Sequence, residues 1–154
     1  MFVAISYGKG VIFCEQYERC HGDYFANFIR RSFGKLFRAN GKMHSRLFVQ
    51  DSCPIQDQCA KARLALKAVG AKLFAFAPKS CDLLVIENVF NLVKRELRLQ
   101  ALRRKLIYES YKQFSECVRS TLCGMSTSVI DNIIKFLHKR LYLIIKHKGK
   151  RIKY

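Results

Sequence analysis

Short apolar runs alternate along this chain with longer stretches of helical periodicity, an order that confines it to the α/β class. Phe2, Ala4 and Ser6 alternate with Val3, Ile5 and Tyr7, and after Gly8-Lys9-Gly10 the apolar run resumes as Val11-Ile12-Phe13-Cys14. This predicts two strands joined by a tight glycine turn. The Gly-x-Gly is not a nucleotide fingerprint, because no third glycine follows and a strand comes where a helix is required. From Asp23 onward, Phe25, Phe28, Ile29, Phe33, Leu36 and Phe37 recur at helical spacing opposite Arg30, Arg31, Lys35 and Arg38. The aromatic stripe reads as core packing rather than a base-stacking platform. After a polar turn containing Asn40-Gly41, residues 46–50 form a buried-type strand ending at Asp51. Pro54 suits the first turn of a helix running to about Val69, Gly70 stops it, and residues 72–76 supply the next strand before Pro78. Asp82 can cap a long helix with the stripe Ile86, Phe90, Val93 and Leu97. Helices over about 109–122 and 129–145 and a basic tail from Lys146 to Tyr154 complete the chain.

At 154 residues, one main core is expected. The charge is +18, which calls for a polyanionic partner, nucleic acid or anionic membrane. It is directional: residues 1–60 carry eight Lys and Arg against five Asp and Glu, residues 61–154 twenty-one against six. Leu141 to Ile145 is far short of the roughly 20 apolar residues of a spanning helix, which excludes a transmembrane reading, and the short apolar face of the tail disfavours a membrane-surface partner. Met1 to Tyr7 has no basic leader, so an intracellular protein is expected. The seven cysteines include no C-x-x-C pair, and free thiols are the expectation.

On the helix after Asp82, the positions Glu87, Asn91, Lys94, Arg98 and Lys105 fall near one stripe. A carboxylate on that face can hold a divalent cation where phosphate approaches, and the bases beyond it can guide a nucleic-acid backbone. Arg104, Lys139, Arg140, Lys148, Lys150 and Arg151 are the further candidate phosphate contacts. Asp51 and Glu87 have 35 residues between them, and a parallel α/β sheet brings such ends together. Carboxylate oxygens of this kind suit magnesium or manganese.

Leu47-Phe48-Val49-Gln50-Asp51, followed by Ser80-Cys81-Asp82-Leu83-Leu84-Val85-Ile86-Glu87-Asn88-Val89-Phe90, resembles the catalytic core of mariner-type transposases. In that family a Ser-Pro-Asp-Leu-Asn-Pro-Ile-Glu-Asn segment carries the last carboxylate of a DDE triad. Asp51 matches the second Asp and Glu87 the Glu. Phe13-Cys14-Glu15-Gln16, His21-Gly22-Asp23-Tyr24-Phe25, Lys139-Arg140-Leu141 and Gly149-Lys150-Arg151-Ile152-Lys153-Tyr154 extend the resemblance over nearly the whole chain. It implies a ribonuclease H-like fold, a mixed sheet flanked by helices, with catalytic and metal-binding Asp51 and Glu87, two magnesium or manganese ions, DNA as partner and a nuclear location.

The resemblance also carries departures. The family's first catalytic Asp lies on a strand before the hairpin, after helix-turn-helix modules, whereas Met1 falls within the second strand. The expectation is an incomplete ribonuclease H-like fold over residues 1–124, first strand missing, with a basic C-terminal helix and tail over 125–154 of the same domain. Cys81, Leu84 and Val85 stand where the family has Pro, Asn and Pro, and Ser52-Cys53 follows the second Asp. The resulting expectation is a transposase-derived nucleic-acid-binding protein, inactive alone, partnered by DNA and by another copy or an intact transposase. A basic, nonspecific DNA- or RNA-binding module without metal-dependent catalysis is the alternative.

Overall fold

The computed structural model describes residues 1–39, 47–50, 59–74, 83–104 and 109–149. In chain order these form β1 (Phe2–Ser6), β2 (Gly10–Glu15), α1 (Gly22–Ala39), β3 (Leu47–Val49), α2 (Ala60–Ala68), β4 (Lys72–Phe74), α3 (Val85–Arg104), α4 (Tyr111–Cys123) and α5 (Thr127–Lys146). They sort into two units, Met1–Gln16 with Val85–Tyr154, and Tyr17–Leu84.

In the first unit, β1 and β2 pair antiparallel from Phe2 opposite Glu15 to Ser6 opposite Gly10, with a register shift between Ala4 and Ile5. Gly10 sits at φ +72°, where a side chain would be strained, and a Cβ there would lie 3.1 Å from Thr127 Oγ1. The turn is tied to α5 by the Gly8 N–H, which donates to Asp131 Oδ1 at 2.8 Å. Val89 and Val93 of α3 and Leu122 of α4 form the core, with Met1, Val3, Ile5 and Cys14 of the hairpin packed against it. The inward stripe of α3 thus runs Ile86, Val89, Val93, Leu97 in steps of three and four. Phe90, expected in that stripe, is only half-buried.

Helix α4 begins at a capping box. Ser110 Oγ accepts from the Gln113 N–H at 3.2 Å, and Gln113 Oε1 accepts from the Ser110 N–H at 2.9 Å. Ser110→Ala should lower unfolding free energy by about 1 kcal/mol in urea melts, since it removes one of these two bonds; an unchanged midpoint would show that the box carries no stability. Ser126 Oγ accepts from the Val129 N–H and starts α5 at Thr127, two residues before the expected start. The cysteines among the described residues, Cys14, Cys20, Cys59, Cys117 and Cys123, are free thiols as expected; Cys53 and Cys81 lie outside those residues. Burial, and then the neighbouring Cys123, pushes the Cys14 thiol up from its ordinary value.

The second unit is built on α1 and α2. Phe25, Ala26, Phe28, Ile29 and Phe33 are buried on α1, facing a helix whose own buried residues are Ala62, Ala65 and Leu66. The stripe from Phe25 to Phe33 is core, with Phe28 and Phe33 edge to face at 5.9 Å between centroids, while the side chains of Leu36 and Phe37 lie outside those described. Gly22 marks the closest approach, since a Cβ there would collide with Cys59 Sγ. Lys61 Nζ lies 2.6 Å from Asp23 Oδ1, and this bond lowers the Asp23 carboxyl and raises the Lys61 amine. Helix α2 starts at Ala60 rather than near Pro54, which lies outside the described residues, as do Asp82 and Pro78. The Gly70 and Ala71 N–H groups close its end on the Lys67 and Leu66 carbonyls. β3 and β4 then pair in parallel, Leu47 opposite Lys72 and Val49 opposite Phe74, completing the expected strand, helix and strand.

The sheet is smaller than expected. Instead of one mixed sheet, the described residues hold two two-stranded ladders, one antiparallel and one parallel, and most of them are helical. The parallel pair has three residues per strand, with Leu47, Val49 and Phe74 exposed, unlike the long strands, buried on both faces, of a full parallel sheet. Among the described residues no helix is long and apolar enough to cross a membrane.

Candidate nucleic-acid interface

Helix α3 carries the site because its two faces differ chemically. With Val89 and Val93 turned into the core, Glu87, Asn91, Lys94 and Arg98 are all exposed, and Arg95 and Arg103 are exposed beside them. The stripe read from the sequence is therefore a solvent-facing one over Glu87 to Arg98. Among the described residues no ion pair neutralises Lys94 or Arg98, so both guanidinium and ammonium groups are available to an anion. Glu87 lies in the first turn of the helix, where the N-terminal dipole favours its negative charge.

The next residue anchors that turn. Arg140 Nη2 of α5 donates to Asn88 Oδ1 at 2.6 Å, and its guanidinium lies 5.2 Å from the Phe136 ring centroid. Arg140 was expected among the phosphate contacts; the structure instead buries it to 6% exposure and uses it to join α5 to α3. Lys139, one position earlier, faces solvent with Nζ 5.7 Å from the same ring, and Lys148 is exposed just past the end of α5. These two keep the position a phosphate contact needs. Asp51, Lys105, Lys150 and Arg151 lie outside the described residues, as does the side chain of Arg104.

A groove of about 290 Å³ opens beside the basic stripe, between α3 and α4. Lys94, Leu97, Arg98 and Ala101 line it from α3, and Phe114 and Cys117 from α4, with Glu109 just before that helix. Phe114 is 47% exposed. The Cys117 thiol donates to Glu109 Oε1 at 3.4 Å. Phe114 steps by four to Val118 and Leu122 of the core yet is itself exposed, and the sequence reading did not single it out. The legible hint was a large aromatic one turn before a core position, close to two bases on the preceding helix.

For metal binding, the described residues contain no group of three or more His, Cys, Asp or Glu side chains that could hold an ion. Glu87 supplies exposed hard oxygens of the type magnesium and manganese take, but a single carboxylate is not a site.

No protein family model matches the sequence, and no curated protein matches it either. Among solved structures, the crystal structure of the catalytic domain of Mos1 mariner transposase superposes with a TM-score of 0.76 over 94% of this chain and 71% of that one, at 16% identity. The chain has the fold of a mariner transposase catalytic domain. At that identity the likeness concerns architecture, and it agrees with the resemblance carried by the Asp51 and Glu87 segments.

Proposed function

We propose that this chain is a transposase-derived nucleic-acid-binding protein, built on a ribonuclease H-like architecture, that does not cleave DNA on its own. The observation that carries the reading is the exposed Glu87, Asn91, Lys94 and Arg98 stripe on α3, within a fold shared with a transposase catalytic domain. Lys94 and Arg98, with Lys139 and Lys148, contact phosphates and release condensed counterions, which makes affinity a function of salt. Arg104, Lys105, Lys150 and Arg151 extend this basic set in the sequence. The mariner resemblance assigns Asp51 and Glu87 as ligands of magnesium or manganese, which would stabilise the attacking and leaving oxygens of phosphoryl transfer. The sequence matches Asp51 and Glu87 to the family's triad, but Cys81, Leu84 and Val85 replace the Pro, Asn and Pro that stiffen the helix entry aiming Glu87, which is why turnover is not proposed. A nuclear location and association with a second copy or an intact transposase follow from the same reading.

The test is a salt titration of binding to labelled duplex DNA. The log–log slope should be steep, about −0.9 per phosphate contact, and Lys94→Glu with Arg98→Glu should flatten it by about two contacts while weakening binding at least tenfold at low salt. A flat salt response in the unmodified protein would refute phosphate-driven binding. Nicking of DNA with manganese present, above the level of an Asp51→Ala, Glu87→Ala variant, would refute the inactive part.

A further inference from the structure

Resting on the nucleic-acid reading above, we infer that the groove between α3 and α4 is a pocket for one unpaired base, so that the chain prefers single-stranded or frayed nucleic acid, with guanine favoured in the pocket. The groove, about 290 Å³, is at the lower limit of small-molecule sites, a scale suited to one base rather than a stacked pair. Its chemistry has the three parts such recognition needs. Phe114, 47% exposed and lining the groove with Leu97 and Ala101, offers an aromatic ring on which a base can stack without regard to its identity. Lys94 and Arg98, which line the same groove from α3, can hold the phosphates flanking a base inserted against that ring.

Glu109 supplies discrimination. It lines the groove, and its carboxylate is an acceptor-only group, with one oxygen accepting from the Cys117 thiol, itself a lining residue. Guanine alone among the DNA bases presents two adjacent donors, the N1 and N2 hydrogens, on its Watson–Crick edge, and these match a carboxylate in two-point fashion. In a duplex that edge is already paired, so the pocket can read it only when the base is extruded or single-stranded. A purely electrostatic surface would bind duplex at least as well as single strand, since duplex carries the denser charge. Strand preference therefore separates the pocket from the basic face around it.

The experiment uses the full chain and fluorescein-labelled thymine octamers in which one central position is guanine, adenine, thymine or abasic, together with a matched duplex and free guanosine monophosphate as competitor. Binding is read by anisotropy at fixed salt. The guanine strand should bind about fivefold tighter than the abasic strand and the duplex, the scale of one stacked base. Phe114→Ala should remove that advantage while leaving duplex affinity within twofold. Glu109→Gln should abolish the preference for guanine over thymine but keep the stacking gain; circular dichroism confirms that both variants fold. Free guanosine monophosphate should compete only at far higher concentration, because the strand supplies further phosphate contacts. Equal affinity for the guanine, abasic and duplex probes overturns the pocket and leaves the phosphate-binding reading standing. Competition by the free nucleotide at the strand's own concentration overturns the assignment to a nucleic-acid strand. Absence of binding to every nucleic acid overturns both readings.

Discussion

Leu122→Ala is expected to cost about 3–5 kcal/mol of stability, the largest effect of any single truncation in the first unit. Leu122 has no exposed surface, and the residues packed with it, Val89 and Val93, come from a different helix. Removing its three carbons leaves a cavity that the surroundings cannot close without moving α3 relative to α4, and that helix pair also forms the groove. Urea unfolding followed by far-ultraviolet circular dichroism would give the number. Leu102→Ala, at a leucine 75% exposed on α3, serves as comparison and should change stability by less than about 0.5 kcal/mol. A loss below about 1 kcal/mol for Leu122→Ala would mean that α3 and α4 are not held by a shared core.

The second large effect belongs to Arg140. Its hydrogen bond to Asn88 is charge-assisted, short and largely withdrawn from water, and the guanidinium also stacks on Phe136. Arg140→Ala should therefore lose about 2–4 kcal/mol, combining the hydrogen bond, the cation–π contact and buried side-chain packing. Asn88→Ala should lose about 1.5–3 kcal/mol by leaving a buried cation short of an acceptor. The two losses should not add: a double-mutant cycle should return a coupling of about 1 kcal/mol or more. Arg140→Lys should recover little, since an ammonium cannot stack on the ring and reach Asn88 in the same geometry. Additive losses would mean that the contact joins no elements, and full rescue by lysine would mean that the site needs only a positive charge.

Arg140 also shows what a sequence reading of charge cannot see. Lys139 and Arg140 are adjacent bases in one basic segment, yet successive helix positions differ by about 100° in direction, which places one in solvent and the other against α3. Which of the two turns inward depends on the partner helix and on the presence of Asn88 there. The same limit applied to α3, where a stripe written through Phe90 proved to run through Val89. Periodicity gives the angle between positions but not the absolute rotation of the helix. Phe114 was not singled out by any sequence pattern; the packing of α3 and α4 leaves it exposed and lining a groove.

The chain's own residues determined the glycine turn of the hairpin, the amphipathic order of its helices, the polarity of the α3 face and the concentration of positive charge after residue 60, because each follows from backbone sterics, local periodicity or composition. The motifs around Asp51 and Glu87 already pointed to the mariner-type architecture that the superposition shows. Only the tertiary structure decided that Arg140 is a clamp rather than a phosphate contact, that the described strands pair as two short ladders, and that Lys94, Arg98, Glu109 and Phe114 share one groove. Those outcomes depend on contacts between residues far apart in the chain, whose burial and partners are fixed by how whole helices pack and not by any local pattern.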